Sequence, residues 1–213
     1  GELGELWRAS KGIDLDKETV EVNGARLSDA RLDINLTDTA AVDTTTSEIK
    51  WIINADSLSI TRTDLMLHLP GDTLNVQAYL GHAVARGAIV DLGTSIYQVE
   101  SLDWHDGKLS YNNKREPEVK GLDYNHIDVS GIRLGIDSIS YAPQGTSFYV
   151  RQAALKEKSG LEITELTGGV RLDSAFNNIQ IPALELRTPD SDIMAEADVD
   201  FNIADDQNPG RKS

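Results

Sequence analysis

The chain has 213 residues, of which 39% are hydrophobic and 26% are charged, a composition typical of folded proteins and too apolar for a disordered one. Its 35 acidic and 20 basic residues give a net charge of −15, which argues against nucleic acid as a partner and against simple adsorption to anionic headgroups. Because cysteine is absent, disulfides, thiolate metal sites and cysteine nucleophiles are excluded.

Alternation of apolar and polar residues recurs along the whole chain and predicts an all-β protein, a long antiparallel meander. Successive side chains of a strand point to opposite faces, so each run has one apolar and one polar face. The runs, in chain order, are 20–22, 32–36, 51–55, 58–60, 65–69, 74–80, 97–99, 102–104, 132–136, 148–150, 170–172, 184–186 and 193–201.

Turn-forming residues separate these runs and are interpreted as the connections between strands. They are Asn23-Gly24, Pro70-Gly71-Asp72, Asp106-Gly107, Pro143-Gln144-Gly145, Ser159-Gly160, Asn177-Asn178 and Pro189-Asp190. The segment 37–47 lacks periodicity and is predicted to be a loop. Two segments contain helix formers, 78–86 and 152–158, but the first is interrupted by Gly81 and the second is short, so both are predicted to be strand or irregular.

The domain organisation predicted from this pattern is a single elongated β segment over residues 1–213. Two similar series of strand and turn residues suggest two stacked repeats, about 50–125 and 126–205. The alternative is that any two meanders look alike. The sequence begins at Gly1 without a start signal, and its polar tail stops at Ser213. We interpret it as a fragment of a longer protein.

No motif of catalysis is present. The sequence has no Gly-x-Ser-x-Gly elbow, phosphate-binding loop, dinucleotide fingerprint or His-Glu-x-x-His, and we predict no enzyme activity, no cofactor and no metal site. The four histidines, His68, His82, His105 and His126, have no shared metal-binding spacing and are expected to be exposed strand residues. Alternating carboxylates are expected to lie on a solvated sheet face, with a calcium site or a glycosidase dyad as the competing interpretations.

The apolar face of so long a sheet needs a cover, because large exposed apolar patches normally mark an interaction surface. No amphipathic helix of sufficient length is available, so two covers remain: a second sheet, giving a sandwich, or a ligand in an elongated groove, for which acyl chains are suited. The residues predicted to line such a groove are Leu58, Ile60, Leu65, Leu67, Leu74, Val76, Ile132, Leu134, Ile136, Val170, Leu172, Leu184, Leu186, Ile193, Ala195, Ala197, Val199 and Phe201.

Several stretches give the chain a likeness to a known family. They are Tyr97-Gln-Val-Glu-Ser-Leu-Asp-Trp104, Gly107-Lys-Leu-Ser-Tyr111, Leu122-Asp-Tyr-Asn-His-Ile127, 132–141, Arg151-Gln152, 156–160 and 186–191. Over roughly residues 50–203 the chain resembles the AsmA-like, TamB-type translocation and assembly proteins, in the form found in Bacteroidetes. The shared motifs are strand patterns and not catalytic signatures.

The resemblance implies a curved, taco-like β-groove with an apolar interior. It implies a lipid-conduit segment of an inner-membrane-anchored protein in the periplasm, with phospholipid acyl chains as its partner. It also implies a role in outer-membrane protein assembly with a barrel partner, through regions outside this chain. The alternative function is that of a closed β-sandwich, either a surface adhesin or a carbohydrate-binding module.

Overall fold

Within the residues that the structure describes, every regular element is a β-strand. A computed structural model describes residues 5–35, 50–68, 74–174 and 177–200. The strands are β1 Glu5–Asp14, β2 Thr19–Ser28, β3 Arg31–Asn35, β4 Ile52–His68, β5 Leu74–Asp91, β6 Ile96–Asn113, β7 His126–Ala142, β8 Gly145–Glu157, β9 Glu162–Asp173, β10 Asn178–Arg187 and β11 Asp192–Asp200. The predicted all-β fold is confirmed.

The eleven strands of the described residues belong to one sheet with the order β1-β2-β4-β5-β6-β7-β8-β9-β10-β11, and β3 joins it beside β4. From β4 to β11 every neighbouring pair is antiparallel, so this part is a meander, and the sheet is not closed into a barrel. The antiparallel order has one exception. β2 and β3 lie end to end and both pair in parallel with β4, over Ile52 to Thr61 and over Asp64 to His68.

The sheet is a single layer within the described residues. Each strand packs mainly on its ladder neighbours, and no second sheet or helix covers either face there. The buried apolar side chains of this part are consequently few and mostly small: Ala30, Ala55, Ala83, Val84, Ala88, Val129, Ile132, Val150 and Ala153. Two facing sheets, the architecture of a sandwich, are not formed by these strands.

Two lines of irregular residues cross the long central strands. The first bulge line runs through Arg62 of β4, Gly81 of β5, Asp106 of β6 and Gly131 of β7, and three of these have a left-handed φ of 45–61°. The second bulge line includes Gly87 and Ser138, which have φ values of 60° and 54°. A bulge re-aims the side chains that follow it.

The effect on the faces is visible in β6. The ideal Cβ position of Gly107 would lie 2.4 Å from the Trp104 ring, so residues 104 and 107 share a face although their spacing is odd. A regular strand would place them on opposite faces. Two other pairs show the same spacing of three residues. Ile60 and Thr63 lie on either side of Arg62, and Val129 and Ile132 lie on either side of Gly131.

Irregular residues inside strands explain why two of the predicted turns are wrong. Asn23-Gly24 and Asp106-Gly107 lie inside β2 and β6 and do not connect strands. The turns around Pro143, Ser159 and Pro189 are confirmed, and the 174–177 connection ends at Asn178, the first residue of β10. Both segments with helix formers are strand, 78–86 within β5 and 152–157 within β8. The predicted turn at 70–72 and the loop at 37–47 lie outside the described residues.

Candidate functional site

The ladder register places apolar side chains in continuous rows across the sheet. Residues paired directly across antiparallel strands point to the same face, so a chain of such pairs defines a row on that face. One row is Leu58, Ala85, Leu102, Ile136, Val150, Gly168, Leu184 and Ala195. Its neighbour is Ile60, Ala83, Trp104, Leu134, Ala153, Leu166, Leu186 and Ile193. These two rows, the middle band, run without interruption from β4 to β11.

Shorter rows flank the middle band beyond each bulge line. Beyond the first line they are Leu65, Ala78, Leu109 and Val129, and Leu67, Val76, Tyr111 and Ile127. Beyond the second they are Ile53, Val90, Tyr97, Tyr141, Thr146, Leu172, Ile179 and Val199, with the pairs Phe148–Val170 and Ile181–Ala197 beside them. The rings of Tyr97 and Tyr141 stack with centroids 5.4 Å apart, which agrees with a common face.

The predicted lining residues fall into these rows almost completely. Ile132 pairs with Gly107 and is buried, and Leu74 pairs with the polar Asn113 at the end of the sheet. Phe201 lies outside the described residues. The prediction left out every middle-band member contributed by β5, β6, β8 and β9, including Ala83, Leu102 and Trp104, although it included Val76 of β5 in a flanking row. Their signal was present at Leu102 and Trp104, where apolar and polar residues alternate, but not at Ala83, which is followed by Val84 and Ala85.

The apolar rows are only partly shielded from solvent. Leu58, Val199 and Ile193 are 37%, 41% and 46% exposed, and most other members are half-buried by their sheet neighbours alone. Trp104, also in the middle band, is half-buried and carries an unsatisfied polar group. Its indole Nε1–H is buried but has no hydrogen-bond partner among the described groups. The apolar face can therefore still bury surface area against a ligand or another molecule.

The opposite face is polar and carries a network of ion pairs. Asp103 accepts hydrogen bonds from Arg86, at 2.9 Å, and from Arg151, and Arg151 also donates to Asp137. Gly135 makes room for the Arg151 guanidinium, because an ideal Cβ there would lie 2.7 Å from Nη2. These pairs are solvent-exposed and contribute about 0–1 kcal/mol each. Their importance is to keep this face hydrated.

A depression of about 580 Å³ lies on this polar side, over the second bulge line. Its lining includes Asn54, Gln98 and Ser140, which are joined in register across β4 to β7 through the exposed Ile89 of β5. The apolar side offers a broad surface instead.

The β6–β7 connection, residues 114–125, is held by a buried carboxylate. Asp123 accepts hydrogen bonds from the backbone N–H groups of Val119 and Asn125 and from His126 Nδ1, each at 2.9 Å. The Val119 N–H is the largest cause that lowers the pKa of Asp123 to about 2, and Asn125 and His126 add to it. The prediction of four exposed histidines is wrong for His126, which is buried because it closes this loop.

A second buried carboxylate ends the apolar row of Val129. Glu157 accepts hydrogen bonds from the backbone N–H groups of Ser159, at 2.6 Å, and Asp128, at 3.2 Å. The contact with Ser159 is the main cause that lowers the pKa of Glu157. Both carboxylates therefore hold connections at one end of the sheet, and their oxygens are already occupied by backbone donors.

The residues that the structure describes include no cluster of three or more side chains suited to hold a metal ion. They also form no membrane-spanning helix. No protein-family model, curated protein or solved structure matches the chain.

Proposed function

We propose that this chain is a structural segment of a lipid conduit, in which the apolar face of the sheet binds phospholipid acyl chains. In this proposal no residue is catalytic. The observation that carries it is the middle band, an unbroken apolar surface over eight strands of one open sheet, which no other part of the described chain covers. A binding surface made of many equivalent contacts suits a ligand that slides along it.

The dimensions agree with an acyl ligand. Eight strands at about 4.8 Å spacing make a band of about 34 Å. One leaflet of a bilayer has a hydrocarbon thickness of about 15 Å, half of the 30 Å core, so the band is about twice as long as one acyl chain. Each fully buried methylene contributes about 0.8 kcal/mol. Because one face contacts a chain from one side only, we expect several weak contacts along the band and no single tight site.

The resemblance to AsmA-like, TamB-type proteins supplies the biological setting of the proposal. It favours a periplasmic segment of an inner-membrane-anchored protein that passes phospholipid toward the outer membrane. It also favours assistance to outer-membrane protein assembly, with the barrel partner bound through regions outside this chain. No observation favours the alternative of a sandwich adhesin or carbohydrate-binding module, since the described strands form one sheet.

Energy transfer from tryptophan to a polyene fatty acid tests the proposal directly. Trp104 is in the middle band, so an acyl chain bound there lies close to its indole ring. We expect saturable quenching of tryptophan emission, reduced in Trp104→Phe and retained in Trp51→Phe, whose indole lies outside the band. Absence of transfer in the wild-type protein would refute acyl binding, and equal transfer in both variants would remove it from the middle band.

A further inference from the structure

The β6–β7 loop, residues 114–125, differs from the rest of this acidic chain in its exposed side chains. Val119, Leu122 and Tyr124 are 60%, 39% and 75% exposed. Beside them lie the exposed cations Lys114, Arg115 and Lys120, none of which forms a salt bridge with a described residue. The loop also exposes two carboxylates, Glu116 and Glu118, and Glu118 lies 4.0 Å from Lys158. On the polar face of the sheet Arg86 and Arg151 are paired, whereas the exposed Arg133 and Arg171 form no salt bridge with a described residue.

The loop presents these groups from a fixed frame. Asp123 holds the backbone of Val119 and Asn125, and the Asn113 N–H donates to the Asn125 carbonyl at 2.8 Å, which closes the base of the loop. The flanking apolar side chains are therefore held outward while the backbone polar groups beside them are satisfied. Binding of the loop to a partner would therefore cost little further conformational entropy.

The opposite end of the sheet provides a contrast. There the turn 15–18 exposes Leu15 to 74%, but the residues around it are Asp14, Asp16 and Glu18, and its cation Lys17 is paired with Asp14 at 3.1 Å. The β6–β7 loop thus combines three apolar side chains with three unpaired cations and two exposed carboxylates, whereas the 15–18 turn combines one apolar side chain with carboxylates and a paired cation.

We propose that the β6–β7 loop is a contact site for a phospholipid membrane surface, with Val119, Leu122 and Tyr124 entering the interface and Lys114, Arg115 and Lys120 meeting lipid phosphates. A tyrosine with an apolar body and polar tip, together with long cationic side chains, is the combination that suits this boundary. The net charge of −15 does not prevent it, because charges beyond about 8 Å are screened at physiological ionic strength. The proposal goes beyond acyl binding by the sheet and does not depend on it.

A single-cysteine probe tests the contact, since the chain has no cysteine of its own. Tyr124→Cys and Leu15→Cys are each labelled with an environment-sensitive dye and mixed with phosphatidylcholine vesicles containing one-quarter phosphatidylglycerol. We expect a blue shift and increased emission at position 124 and no change at position 15. No response at 124, or an equal response at both positions, would overturn the proposal.

Charge neutralisation provides the second readout. Lys114→Gln with Arg115→Gln should lower vesicle partition about fivefold or more, the effect of about 1 kcal/mol or more of lost attraction. The matched control, Arg133→Gln with Arg171→Gln on the polar face, should leave partition unchanged. Equal partition of the two double variants would contradict membrane contact by the loop. Fatty-acid binding measured without vesicles reports on the sheet alone, so the two proposals can fail separately.

Discussion

Replacing Leu134 by aspartate distinguishes an open apolar face from a sealed core. Leu134 lies in the middle band between its register partners Trp104 and Ala153 and is half-buried. The neighbouring Arg133 points to the polar face and is exposed. Leu134→Asp and Arg133→Asp therefore introduce the same carboxylate one residue apart on opposite faces.

The expected loss of stability follows from the partial burial. Full burial of a leucine side chain contributes about 1.5–3 kcal/mol, so a half-buried one contributes about 0.8–1.5 kcal/mol. On an uncovered face the new carboxylate reaches water, and Leu134→Asp should cost little more than that. In a sealed core the same carboxylate would add a desolvation cost of several kcal/mol and unfold the domain. Arg133→Asp should stay within about 0.5 kcal/mol of the wild type.

Two assays on both variants decide the matter. Thermal melting followed by circular dichroism should show Leu134→Asp folded with a modestly lowered melting temperature. Binding of a fluorescent fatty acid should be lost in Leu134→Asp and retained in Arg133→Asp. Outright unfolding of Leu134→Asp would refute the open face, and full fatty-acid binding by a folded Leu134→Asp would remove Leu134 from the binding surface.

Gly107→Ala should destabilise the protein by about 1–3 kcal/mol, because the added Cβ meets the Trp104 ring. Gly12→Ala, with open space around the added Cβ, should leave the stability unchanged. Equal melting temperatures of the two variants would disprove the packing of the ring against Gly107. The pKa of Asp123 is lowered to about 2, chiefly by the Val119 N–H, so its carboxylate stabilises the fold above about pH 4 and loses this effect as the pH falls toward 2. Wild-type melting temperature should therefore fall more steeply over this range than that of Asp123→Asn, and parallel curves would contradict the assignment. Added calcium or zinc should leave the melting temperature unchanged, and a rise of several degrees at micromolar metal would show a site that we do not predict.

The sequence predicted the strands but not their full length. In β6 the apolar positions run 97, 99, 102, 104, 107, 109 and 111, and the break in phase at Asp106-Gly107 has the appearance of a turn. The alternation rule assumes a regular pleat, and a residue with a left-handed φ inside the strand violates it. The positions at which the alternation is interrupted lie opposite one another in neighbouring strands. This alignment distinguishes a bulge line from a set of turns.

The topology and the sheet ends were less predictable. Apolar and polar residues alternate in the same way in parallel and antiparallel strands. The sequence pattern therefore does not indicate that β2 and β3 pair in parallel with β4. His126 was misplaced because its burial depends on Asp123, which reaches it from the loop and not from a strand. The candidate rows, in contrast, were largely predicted, since the face of a residue depends on its local spacing.

The most direct test of the central claim is the lipid content of the protein as purified from a bacterial membrane-containing lysate without detergent. Native mass spectrometry combined with chromatography of an organic extract measures it. We predict phospholipid bound to the folded chain at more than one occupancy, with release when detergent is added. A lipid-free monomer whose mass and melting temperature are indifferent to detergent would contradict an apolar face that binds acyl chains.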